Sequence, residues 1–133
     1  MSGELASTLW RRARVLLGVA EELVERGEYD LALAMAEQAP RLGSRAVYAM
    51  VVARIPKGHN LRRLIGYLAG VLEEAGAVDA AEERRALILL EDAYTQGRYA
   101  LPGYTRRDAE EGIGAARRLL ELLERLFWRT PST

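Results

Sequence analysis

The apolar residues of this chain recur every three or four positions from end to end, and nowhere alternate in twos. A helix puts residues 3–4 apart on one face, whereas a strand does so for residues two apart, so the pattern predicts helices and excludes a phosphate-binding parallel sheet. In the first segment Leu9, Ala13, Leu16, Ala20 and Leu23 form the stripe, widened by Trp10, Leu17 and Val24. Gly27 ends it, because glycine accepts the left-handed turn that closes a helix. A second segment, from about Tyr29 to Arg54, carries Met35, Ala39, Leu42, Ala46, Ala49 and Ala53, mostly small side chains that let another helix approach closely. Pro40 inside it removes one backbone hydrogen bond and is expected to kink it.

Ile55-Pro56-Lys57-Gly58 reads as a loop. His59 or Asn60 then caps a third helix, with Leu61, Leu64, Ile65, Leu68 and Leu72 inward and Gly76 at its end. Asp79 with Glu82 opens a fourth, which buries Leu87, Leu90 and Tyr94. After a second loop, Gly97 to Gly103, Thr105 with Asp108 opens a fifth, lined by Ala109, Ile113, Ala116, Leu120, Leu123 and Phe127. The expected architecture is all-α, an up-and-down bundle of four to five antiparallel helices. At 133 residues the chain fits one domain, 1–133, able to bury a core without a metal or disulfide.

Composition narrows the chemistry. The chain has no cysteine, which excludes disulfides, thiolate metal sites and cysteine nucleophiles, and agrees with a cytoplasmic location. With one histidine a zinc site is not expected, and neither is a cofactor. The longest apolar run, Ala46 to Ala53, is 8 residues, too short to span a membrane. The first residues carry Glu4 and no apolar core ahead of Arg11, unlike a secretory signal. Net charge is zero, yet its placement is uneven: no acid stands between Glu37 and Glu73, while Arg41, Arg45, Arg54, Lys57, Arg62 and Arg63 do. A neutral protein with one basic third can bind an anion there. Of the 19 basic residues only Lys57 is lysine; arginine suits phosphate, although genomic bias gives the same excess.

Three constellations could carry function. Arg54 and His59 stand at an Arg-x4-His spacing across a helix–loop–helix junction. A histidine near its ordinary pKa of ~6.5 can move a proton at neutral pH, and an arginine can hold a phosphate and its developing charge. His59 could equally cap the third helix. On the second helix Gln38, Arg41, Arg45 and Tyr48 share one side, a strip suited to phosphates and a stacked base, or to a solvated face or subunit contact. Arg98 and Tyr99, with Tyr104, suit stacking on an anionic ligand or a structural corner. The adjacent carboxylate pairs, such as Glu73 with Glu74, point to different sides of a helix and read as solvated charge.

The order of these features resembles the HEPN domain of prokaryotes. Trp10-Arg11-Arg12-Ala13 with Ala20 and Leu23 is similar to that family's first helix, and Gly27-Glu28-Tyr29-Asp30-Leu31-Ala32 to the entry of its second. Ala36-Glu37-Gln38-Ala39, the basic Arg45-Ala46, Gly58-His59-Asn60-Leu61 and Arg98-Tyr99 follow in the family's order. The resemblance implies a helical bundle that usually dimerises and is often paired with a minimal nucleotidyltransferase as a toxin–antitoxin-like couple. It implies binding of nucleotide or RNA, and in many members metal-independent RNA cleavage by an Arg-x4–6-His motif. Arg54 and His59 would then be catalytic, with Arg41, Arg45, Tyr48, Lys57, Arg62, Arg98 and Tyr99 contacting nucleotide or RNA. The alternative is a non-catalytic protein-interaction module in which His59 is structural.

Overall fold

A computed structural model describes residues 2–51, Leu90 and residues 103–129. Helix α1 spans Ser2–Glu25, α2 spans Tyr29–Val51, and α3 spans Arg106–Arg129. These described residues are all-α, as expected, and the expected boundaries at Gly27, Tyr29 and Thr105 are all observed. The expected third and fourth helices lie outside the described residues, apart from Leu90.

The α1–α2 corner is closed by backbone chemistry. Gly27 adopts a φ of +77°. The Glu28 N–H donates to Leu23 O at 2.9 Å and the Gly27 N–H to Val24 O at 3.0 Å, the paired bonds of a Schellman cap. Two carbonyls at the end of α1 are thereby satisfied, and the chain reverses within three residues. At the start of α3 the expected cap pair forms: the Asp108 N–H donates to Thr105 Oγ1 at 3.1 Å, and the Thr105 N–H to Asp108 Oδ2 at 3.0 Å.

Alanines set the closeness of α1 and α2. Ala6, Ala13 and Ala20, seven residues apart, are fully buried, as are Ala32, Ala36, Ala39 and Ala46. Such small side chains bring two backbones together without leaving a void. Gly43 marks where all three helices meet. A Cβ there would lie 2.8 Å from Leu120 Cδ1, 3.0 Å from Trp10 Cζ3 and 3.4 Å from Leu123 Cδ1. Gly112 does the same for α2 and α3: a Cβ would collide with Leu33 and come within 3.3 Å of Leu90 Cδ2.

These contacts fix the directions. Leu33 meets α3 at Gly112, and Gly43 meets it further along, at Leu120 and Leu123, so α2 and α3 run parallel. Between α1 and α3, Arg14 pairs with Glu124, Glu21 with Arg117, and Glu25 with Arg106, an order that makes them antiparallel.

The core differs in detail from the expected stripes. Ala109, Ile113, Ala116, Leu120 and Leu123 of α3 are buried as expected, and the side chain of Phe127 lies outside the description. On α1 the buried centre is Trp10, Leu17 and Val24, and Leu16 and Leu23 sit at its edge. On α2 the inward face is Leu33, Ala36, Pro40 and Val47, and Met35 and Leu42 are only half-buried. Two polar residues, Glu37 and Ser44, lie on that inward face and hide it from a count of apolar positions. Helix α2 continues through Pro40, whose side chain is fully buried.

Candidate functional site

Helix α2 carries a polar line through the interior. Glu37, Arg41 and Ser44 follow one another at helical spacing, with Arg45 beside them. Glu37 and Ser44 are completely buried. A carboxylate taken out of water needs an opposite charge and hydrogen bonds to remain ionised. Arg41, one turn on, supplies both: its Nε donates to Glu37 Oε1 at 3.0 Å and a second guanidinium nitrogen closes on the same oxygen. Gln38 Nε2 donates to the other oxygen, Oε2, at 3.1 Å. The Arg41 side chain is itself only 14% exposed. Of the expected strip, then, Arg41 is engaged in a buried pair, and Gln38 and Arg45 are half-buried rather than solvated.

Arg45 is placed differently. Its Nε is buried and has no hydrogen-bond partner among the described residues, and the same holds for the neighbouring Ser44 Oγ. Leaving such groups unmet costs about 1–3 kcal/mol each where neither water nor a ligand satisfies them. Arg45 therefore combines a fixed charge, partial exposure and an unused donor. The sequence pointed to Arg45 through its spacing from Arg41, but nothing in the spacing separates the paired arginine from the unpaired one. Glu37 was missed as a site residue because a single glutamate among alanines has no motif.

Tyr48 lies on α2, with its side chain outside the description. Arg54, Lys57, His59, Arg62, Arg98 and Tyr99 lie outside the described residues.

A groove of about 650 Å³ lies between α1 and α3, bordered by Glu21, Glu25, Glu110, Arg106 and Arg117. Its cations are already matched. Arg106 lies 2.7 Å from Glu25 and 2.9 Å from Glu110, and Arg117 pairs with Glu21. The hydrogen bond to Glu110 and then the charge of Glu25 hold the Arg106 guanidinium above its ordinary pKa. This groove holds none of the residues expected to bind an anion. Among the described residues no helix is long and apolar enough to cross a membrane, and no group of acidic or histidine side chains is arranged to hold a metal.

The family model of the HEPN domain matches residues 6–126, which takes in α2, most of α1 and α3, and the basic window between Glu37 and Glu73. No curated protein and no solved structure matches the chain.

Proposed function

The chain belongs to the HEPN domain family, and on that premise we propose that it binds nucleotide or RNA at its basic window and cleaves RNA without a metal, as the toxin-like member of a pair with a nucleotidyltransferase. The observation that carries this reading is the match itself, whose span, residues 6–126, includes the positions of Arg54 and His59. The unused Nε of Arg45 supports an anionic ligand on the same stretch of chain. In this reading the protein acts as a homodimer in the cytoplasm.

The chemistry would need only these two side chains and the RNA. His59 takes the proton of a 2′-hydroxyl, whose oxygen attacks the adjacent phosphorus. The bond from phosphorus to the 5′-oxygen breaks, the proton is returned to that oxygen, and the products are a 2′,3′-cyclic phosphate and a 5′-hydroxyl. Arg54 holds the phosphate and offsets charge as it builds on the non-bridging oxygens. Arg45, Tyr48, Lys57, Arg62, Arg98 and Tyr99 would hold the strand, with Arg41 engaged by Glu37 instead.

Purified protein incubated with structured RNA, with and without a chelator, tests this. The expected result is cleavage that ignores the chelator, leaves cyclic-phosphate ends and is lost in His59→Ala. Cleavage unaffected by His59→Ala would remove the catalytic assignment. A second reading, a non-catalytic module that binds the nucleotidyltransferase, is favoured by the exposed apolar residues Leu5, Val15 and Val19 on α1. Stable co-purification of the two proteins with no RNA cleavage would select it.

A further inference from the structure

Four large apolar side chains are conspicuously exposed among the described residues: Leu5 at 43%, Val15 at 55%, Val19 at 36% and Leu31 at 44%. Scattered singly, such residues carry no message. Three of these are not scattered. The solvent side of α1 carries Thr8, Arg12, Val15, Val19, Glu22 and Arg26, at successive spacings of 4, 3, 4, 3 and 4 residues. Leu5 extends the line by one further step of 3. That is the spacing of a helix–helix seam, on a side of the helix that faces no described element except at its edge, where Glu22 also borders the groove toward α3. The side of α1 toward α3 is different: Arg14, Glu21 and Glu25 are each ion-paired across to α3. Arg12, Glu22 and Arg26 have no ion pair among the described residues.

The seam is also self-complementary when reversed. A two-fold axis opposite residue 17 sets Val15 against the second copy's Val19, Arg12 against its Glu22, and Thr8 against its Arg26, each pair occurring twice. Val15 and Val19 are one turn apart, about 6 Å along the helix, so the apolar centre falls on the axis with opposite charges at both ends. The same register carries Leu5 to the corner where the second copy's α2 begins, the location of exposed Leu31. One arrangement therefore covers Val15 and Val19 and pairs Arg12 with Glu22.

The geometry points to α1 packing antiparallel against α1 of a second copy of this chain, in the register that opposes Val15 to Val19. This rests on the homodimer reading above and names its surface. The substituted side chains are exposed, so the fold can be verified by circular dichroism in each variant.

Light scattering on the intact chain should give twice 14.8 kDa at tens of micromolar. Val19→Asp should give a monomer. Arg12→Glu or Glu22→Arg alone should weaken the dimer about tenfold, and the double variant should recover it. The chain has no cysteine, so a mixture of Val15→Cys and Val19→Cys proteins should form a disulfide faster than either alone. A dimer indifferent to Val19→Asp, with no preference for the mixed disulfide, overturns this surface and leaves the homodimer standing. A monomeric wild-type chain overturns both, including the case in which the face is covered only when the nucleotidyltransferase is present.

Discussion

Arg41 reaches back one turn along α2 to the fully buried carboxylate of Glu37. This pair is buried rather than displayed, and its two members are not exchangeable with solvent partners. Removing either side chain leaves an uncompensated charge inside the protein. Arg41→Ala and Glu37→Ala should each destabilise the fold by about 3–5 kcal/mol. For a chain of this size that is a fall in melting temperature of roughly 10–20 °C. Replacing both together, with Glu37→Met and Arg41→Leu, should recover most of the loss, because well-packed apolar side chains stabilise as much as a buried ion pair. Thermal unfolding of the three variants reads this directly. A small effect of Arg41→Ala would mean that Glu37 has another counter-charge.

The glycines divide into two classes with opposite signs. Gly43 and Gly112 lie where helices touch, and a methyl at either meets buried side chains: the Trp10 ring and Leu120 in one case, Leu33 and Leu90 in the other. Gly43→Ala and Gly112→Ala should each cost about 1–3 kcal/mol from overpacking. A Cβ at Gly18 meets nothing within 4 Å, although it also lies within a helix. Gly18→Ala should therefore stabilise by about 0.5–1 kcal/mol, since alanine loses less backbone freedom on folding. Urea midpoints at constant slope will show the split.

The helix ends supply a third expectation. Gly27 has a positive φ, +77°, with open space around its Cα. Any cost of Gly27→Ala is then conformational, about 1–2 kcal/mol, with no steric part. Thr105→Ala removes the acceptor for the Asp108 N–H and should cost about 1 kcal/mol. Asp108→Ala removes the other half of the same box. Each single leaves the donor and acceptor of the other bond in place, so a double variant that costs less than the sum of the two singles measures the coupling between the two bonds. Equal and additive losses would show that the two bonds act independently.

These positions also show how far the sequence could be read. Gly27 and the Thr105–Asp108 pair were legible because cap chemistry is local: a residue type at a fixed offset is enough. The α3 stripe was legible because its inward face is purely apolar. The α2 stripe was legible only in part: Ala39 and Ala46 are buried as expected, but Met35 and Leu42 are half-buried, since Glu37 and Ser44 sit on the inward side and small alanines occur on several sides. Burial of a glutamate depends on a partner arginine and on packing from other helices, which no periodicity encodes. The same holds for the strip of Gln38, Arg41 and Arg45. Spacing placed them on one side of α2, but only tertiary packing decides which of the cations is consumed.

That division between the two arginines yields the last expectation. Arg41 is held by Glu37, whereas Arg45 keeps a buried donor with no partner among the described residues. In the reading proposed above, Arg45 is the cation on α2 free to meet a phosphate. Arg45→Met retains the aliphatic stem and should leave the melting temperature within a few degrees of the parent. RNA affinity should fall about tenfold or less, uniformly across sequences, and the salt dependence should lose about one phosphate contact. Arg41→Met should behave in the opposite way, lowering stability first, with any change in binding following the loss of folded protein. Filter binding across a salt series, run beside thermal unfolding, separates the two. If Arg45→Met leaves both affinity and salt slope unchanged, α2 makes no phosphate contact through Arg45, and the binding surface must be sought elsewhere in the basic window.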